Sequence, residues 1–345
     1  MRKNKVFYIS LASVISAFAV VMLHTNGCFW TFSTERYWLT ATIIETVMYF
    51  AVPVFFMISG VTLIDYRERY TIKQYFNKRI EKTLIPFLAW SCVGVIYLAV
   101  QGRMQVEFTL DSLAEVLLGI ANSKIISIYW FFISLFTVYL CIPLFASVEK
   151  EIRVKVFTYI VGVAFLFNWL IPFVCQLFGI GYVSRVGVPV ALDYLMYVLL
   201  GYILSKTELK LFHKILIYVL GLFGLGMHMI GTYVLSMSEG YVVQLFKGYT
   251  KVPCLLYSVA IFVLIKDIGG KIRNEKFINA IEILGSYTFS VYLMHYYVMD
   301  IMVRLFDINV RSLIYRVGAP FVIFVICMGI TWCLRKIPIL RKIVP

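Results

Sequence analysis

Charged residues are scarce in this sequence: Asp, Glu, Lys and Arg make up 14% of its 345 residues, where a soluble domain carries about a quarter. Acids are scarcer still, 18 against 32 Lys and Arg, which leaves a net charge of +14. With 61% hydrophobic and 17% aromatic residues and a mean hydropathy of +0.88, a water-soluble globule is excluded. Other absences narrow the class further. No stretch alternates in polarity as a lipid-facing barrel strand would, and neither a fixed-period repeat nor a low-complexity tract occurs. The seven cysteines, Cys28, Cys92, Cys141, Cys175, Cys254, Cys327 and Cys333, lie in or beside apolar segments without metal or disulfide spacing. They read as small packing residues, and no metal site is expected.

What the sequence does have is a succession of apolar runs. A helix needs about 20 mostly apolar residues to cross the hydrocarbon core, and ten such runs are found, near 6–28, 42–64, 84–101, 126–147, 156–178, 188–205, 215–236, 252–266, 280–303 and 317–334. The expected fold is all-α, a polytopic membrane protein of about ten transmembrane helices forming a single domain over residues 1–345. No appended soluble domain is expected. In the connection 102–125, Leu110, Leu113, Val116, Leu117 and Ile120 fall at helical spacing and predict a short helix lying in the interface.

The excess basic charge is a topology signal rather than a nucleic-acid surface. With a cytoplasmic N-terminus, 23 of the 32 Lys and Arg fall at the inner ends and connections, and the other nine, Arg36, Arg103, Lys124, Arg185, Lys247, Lys251, Arg304, Arg311 and Arg316, fall outside. The positive-inside rule then places both termini in the cytoplasm, in agreement with an even number of spans. The first span reads as a helix rather than a cleaved signal, because no small-residue cleavage site follows it.

Ionisable groups at membrane depth are costly, so they are the first candidates for function. Counting about 1.5 Å per residue, His24 lies near the outer end of the first span and Glu45 at similar depth on the second. Asp193, near the outer end of the sixth, and His295, in the outer half of the ninth, belong to the same layer. A carboxylate accepting from one nitrogen of His24 would orient the ring as a general base for a hydroxyl, and Glu45 is the candidate for that partner. The alternative is that these groups simply fasten helices together. His213, in a basic turn, and His228, alone on an apolar helix, read as structural. At the inner boundary, Arg79 and Lys82 are three residues apart and share a helix face. They form a candidate phosphate clamp, the alternative being a topology signal in contact with anionic lipid.

In order along the chain stand Val21-Met22-Leu23-His24, Val52-Pro53-Val54-Phe55-Phe56-Met57-Ile58-Ser59-Gly60, the Arg79 to Pro86 stretch, Tyr129-Trp130-Phe131-Phe132 with Tyr139 and Pro143, Tyr197 to Gly201-Tyr202, and Gly285 to His295. Together these resemble the acyltransferase-3 family of integral membrane proteins, which O-acylate bacterial surface glycans. The resemblance implies a multi-pass protein of the bacterial plasma membrane that moves an acyl group from cytoplasmic acyl-CoA, with acetyl-CoA the expected form, to a hydroxyl of a surface or lipid-linked glycan. It implies no permanently bound cofactor. Arg79 and Lys82 would hold the donor phosphates, His24, with Glu45, would activate the hydroxyl or carry the acyl group, and Trp130, Tyr139, Asp193, Tyr292 and His295 would line the passage. One departure stands out: the family ordinarily has Arg or Lys eleven residues before the His, and here that position is Ser13. A basic group from another helix, a different donor or loss of activity would each accommodate it. The rival readings are a transporter or flippase with a His24, Glu45 and Asp193 proton relay, and an inactive family member.

Overall fold

The computed structural model describes residues 2–105, 107, 109–181 and 187–345, with side chains from residue 7 onward; Arg185 of the charge count lies outside the described residues. The chain is built of helices: α1 (Arg2–Thr25), α2 (Arg36–Glu68), α3 (Ile72–Val100), α4 (Leu110–Ala121), α5 (Ser127–Phe145), α6 (Lys150–Leu177), α7 (Leu195–Lys206), α8 (Leu211–Glu239), α9 (Val252–Lys271), α10 (Glu275–Leu305) and α11 (Leu313–Arg335). Among the described residues, nine of these are long and apolar enough to cross a membrane, with α7 a shorter apolar helix. α4 is the short helix that the Leu110 to Ile120 spacing predicts, begun by Thr109, whose side chain accepts from the N–H of Ser112.

The tenth expected span, 188–205, is only partly helical. Helix begins at Leu195, because Ala191 and Asp193 stand in the left-handed region at φ 60° and 46°. Met196, Tyr197, Val198 and Leu199 in α7 are all at 0% exposure, whereas in the irregular stretch before the helix Ala191 is buried and Val190, Leu192 and Asp193 are exposed. α7 packs tightly on α2: a Cβ at Gly60 would collide with the Val198 carbonyl, and one at Gly201 with that of Met57. Only glycine allows this backbone approach.

α1 is the central post, in contact with α2, α9, α10 and α11. Both chain ends lie at one end of the bundle: Phe7 packs on Phe277 at the start of α10, and Arg335 at the end of α11 donates to the Ser286 carbonyl. His24, at the other end of α1, therefore occupies the opposite end. Prolines interrupt several spans. Pro53 has no N–H for the Tyr49 carbonyl, and α2 breaks at Tyr49 and Phe50. Pro86 and Pro172 each follow a π turn, Ile80–Leu84 in α3 and Phe165–Leu170 in α6. Where Pro143 and Pro320 free carbonyls, side chains take them: Tyr75 Oη donates to Tyr139 O at 3.1 Å, and Thr25 Oγ1 lies 3.2 Å from Arg316 O. The second of these bonds ties the residue after His24 to α11.

Candidate active site

Two cavities lie along the bundle, one at each end. The first, about 380 Å³, is walled by Val20, Leu23 and His24 of α1, Glu45, Tyr49 and Val52 of α2, Trp130 of α5 and Tyr292 of α10, and is closed by Trp30, Tyr194 and Tyr249 from the connections. Its walls are thus mainly aromatic, with a single imidazole and a single carboxylate among them.

His24 pairs with His295. Their Nδ1 and Nε2 atoms are 2.8 Å apart, and the far nitrogen of His295, Nδ1, faces two carbonyls, Tyr292 O at 2.7 Å and Val291 O at 3.1 Å. The partners assign the protons. Carbonyls only accept, so Nδ1 of His295 carries hydrogen, and in the neutral ring Nε2 is then an acceptor. His24 therefore donates from Nδ1, which leaves its Nε2 as the nitrogen with a free lone pair, on a ring bordering the cavity. That is the tautomer a base needs. His295 itself is fully buried.

Glu45 borders the same cavity but does not orient His24, a correction to the expected pairing. Its Oε1 receives Lys247 Nζ at 2.7 Å, and Oε2 lies 3.5 Å from Asn26 Nδ2. Glu45 and Lys247 are 3% and 1% exposed, a depth at which an unpaired carboxylate would be severely penalised. The ammonium also lies 3.6 Å from the Tyr49 ring centre. Burial lowers the Lys247 pKa below the ordinary lysine range, while Glu45 opposes that shift. The network continues through Asn26, which accepts from Arg316 Nη1 at 3.3 Å, and through Arg316 Nη2 to Thr40 Oγ1 at 2.7 Å. His228 lies behind this wall, edge-on to Tyr49 at 5.0 Å, and His213 is exposed on α8.

The second cavity, about 320 Å³, lies toward the other end and is bordered by Arg79, Lys82 and Thr83 of α3, Phe55, Ile58 and Ser59 of α2, Phe131, Leu135 and Tyr139 of α5, Thr288, Phe289 and Tyr292 of α10, and Pro345. The π turn Ile80–Leu84 carries Lys82 and Thr83, an irregularity of the kind that recurs at functional sites. Arg79 lies over the Tyr139 ring at 5.5 Å, and its buried Nε has no hydrogen-bond partner. Among the described residues neither Arg79 nor Lys82 is ion-paired. Two cations without a carboxylate partner thus border one cavity.

Tyr292 borders both cavities. Its hydroxyl is fixed on Ile128 O at 2.5 Å, and its ring packs 5.3 Å from Phe131 and 5.6 Å from His295. The expected passage residues therefore divide: Trp130 at the His24 cavity, Tyr139 at the Arg79 cavity and Tyr292 between, while His295 lines neither and is buried against His24. Asp193 does not join them, because its left-handed backbone lies outside α7 and it borders a third cavity. Ser13 borders neither of the first two, and the Lys and Arg side chains lining them are Arg79 and Lys82. Of the residues that sequence reasoning misses, Lys247 and Tyr249 come from a connection that no periodicity marks, while Asn26 and Tyr194 fall within the expected spans 6–28 and 188–205 but stand just outside the helices.

A sequence model described as an acyltransferase domain, that of the acyltransferase-3 family, matches residues 6–335, nearly the whole chain. Comparisons with curated proteins and with solved structures returned no match.

Proposed function

Since this chain belongs to the acyltransferase-3 family, we propose that it moves an acyl group, acetyl in the first instance, from cytoplasmic acyl-CoA to a hydroxyl of a surface or lipid-linked glycan on the outer side of the plasma membrane. The observation that carries the reading is that Tyr292 is common to two unlike cavities, one with the unpaired Arg79 and Lys82 and one with His24, which His295 holds from behind. The distribution of basic residues orients the Arg79 end inward. Donor phosphates then bind Arg79 and Lys82, and the extended pantetheine arm passes Phe131 and Tyr292 toward His24. His24 Nε2 takes the acceptor proton as the hydroxyl oxygen attacks the thioester carbonyl. The carbon–sulfur bond breaks, and the proton passes to the departing thiolate, giving free CoA and the O-acyl ester. The aromatic walls suit the C–H faces of a sugar ring.

A proton-relay transporter finds less support. Glu45 is committed to Lys247, and Asp193 borders a different cavity, so His24, Glu45 and Asp193 do not form one chain of groups. The test is deletion of the protein from its host, with mass spectrometry of acyl substituents on the surface polysaccharide and complementation by wild type and His24→Ala. Loss on deletion, restored by wild type alone, is expected. Unchanged acylation on deletion sinks the enzyme reading, and equal rescue by both forms removes His24 from the chemistry.

A further inference from the structure

The third cavity, about 240 Å³, is lined by Asn168, Trp169, Phe173 and Gln176 of α6, by Leu192 and Asp193 before α7, and by Thr250 and Lys251 before α9. It adjoins the His24 cavity through two turns of chain. Tyr194 borders the His24 cavity while Leu192 and Asp193, just before it, border the third; Tyr249 borders the first while Thr250 and Lys251, just after it, border the third. The two tyrosine rings, 6.3 Å apart, form the partition.

We infer that this cavity is a second sugar subsite, so that the acceptor is a glycan of at least two linked sugars, one presenting its hydroxyl to His24 and its neighbour lodged against Asp193, Lys251 and Trp169. The inference rests on the acyl-transfer reading and specifies its acceptor. The lining chemistry selects the ligand class. One carboxylate and one ammonium oppose any strongly charged ligand of either sign, whereas sugar hydroxyls donate to the first and accept from the second, and aromatic rings take the apolar face. The cavity is also below the usual size of a drug-like pocket, suited to one ring rather than a lipid tail.

The rim is held in place before any ligand arrives. Asn168 makes two bonds to the Val188 backbone, both 2.8 Å, and Lys251 Nζ donates to Gln176 Oε1 at 2.7 Å. Asp193 is exposed at the rim. Among the described residues it has no ion pair or hydrogen bond, although Lys251 borders the same cavity. Its backbone and that of Ala191 are both left-handed, a conformation Asp adopts more readily than most residues with a side chain.

The experiment uses acyl-free glycan from the deletion strain, cut into fragments of one, two and more sugars, end-labelled with a fluorophore and titrated by polarisation against the purified full chain in nanodiscs without acyl-CoA. Two-sugar and longer fragments should bind about tenfold or more tightly than single sugars, the worth of one charge-assisted hydrogen bond. Asp193→Asn and Lys251→Met should remove that gain without altering single-sugar binding. Asp193→Gly, which relaxes the backbone, should lose the gain at an unchanged or raised melting temperature. Equal affinity for one and two sugars, no fragment binding at all, or an unaffected Asp193→Asn overturns the subsite. Length-dependent binding by a wild-type protein that transfers no acetyl from acetyl-CoA would leave the subsite standing and refute the acyl-transfer reading instead.

Discussion

Replacing His295 with Phe keeps a planar ring in the core but removes the acceptor for His24 Nδ1. In the wild type that atom has His295 Nε2 at 2.8 Å, and His295 is in turn fixed on Tyr292 O at 2.7 Å. Leaving a buried donor without its partner costs about 1–3 kcal/mol. The ring escapes the penalty by turning, or by moving its proton to Nε2, and either removes the lone pair from the acceptor hydroxyl. Since each ~1.4 kcal/mol is tenfold in rate, kcat should fall about ten- to a hundredfold. His24→Ala removes the base itself and should cost about 10²- to 10⁴-fold, and the double substitution no more than His24→Ala alone, because the two act as a unit. The KM for acetyl-CoA should stay constant, as Arg79 and Lys82 border the other cavity. Initial rates of label transfer from radiolabelled acetyl-CoA to acyl-free glycan, on protein in nanodiscs with melting temperatures in parallel, provide the assay. A folded His295→Phe protein as fast as wild type would refute the orienting role, and one as slow as His24→Ala would place His295 in the proton transfer itself.

At the donor end, Arg79→Ala and Lys82→Ala should each raise the KM for acetyl-CoA about ten- to a hundredfold, from the loss of a charge-assisted bond worth about 1.5–3 kcal/mol. Lys150→Ala, whose ammonium pairs with Glu68 in an exposed position, should leave that KM unchanged, and equal effects would reduce Arg79 to a topology signal. Lys247→Ala strands the Glu45 carboxylate in the interior and should cost about 3–5 kcal/mol of stability, read as a lowered melting temperature. Lys247→Met with Glu45→Gln should recover most of it; a double variant no more stable than the single argues against the buried pair. Gly60→Leu drives a side chain into the Val198 carbonyl and should abolish the monodisperse folded peak in fluorescence-detected size exclusion. A normal elution profile would mean that α2 and α7 can separate.

The apolar runs make the helices legible because hydrocarbon leaves the backbone few alternatives to a helix, and the stripe of Leu110, Leu113, Val116 and Leu117 does the same for α4. The first third of the span at 188–205 escapes this reasoning, because hydropathy alone does not register two left-handed residues, Ala191 and Asp193. Depth arithmetic puts His24, Glu45 and His295 in one layer. Rise per residue fixes height and not the direction a side chain faces, so it does not distinguish Glu45 from His295 as the partner of His24. That choice is made by α10 lying along α1 and by Lys247, which arrives 202 positions after Glu45 in sequence from an aperiodic connection. Arg79 and Lys82 are legible together because a single helix face carries both. Their lack of carboxylate partners is not, since it depends on where every acid of the fold ends up.

The central claim is that donor and acceptor are served from opposite ends of one bundle. Sealed proteoliposomes with the protein in a single, protease-verified orientation test it directly, with radiolabelled acetyl-CoA on one side and acyl-free glycan on the other. Label should reach the glycan only when acetyl-CoA is at the Arg79 face and glycan at the His24 face, and His24→Ala should abolish it. Transfer with both substrates confined to one face, or with acetyl-CoA supplied at the His24 face, would contradict the account.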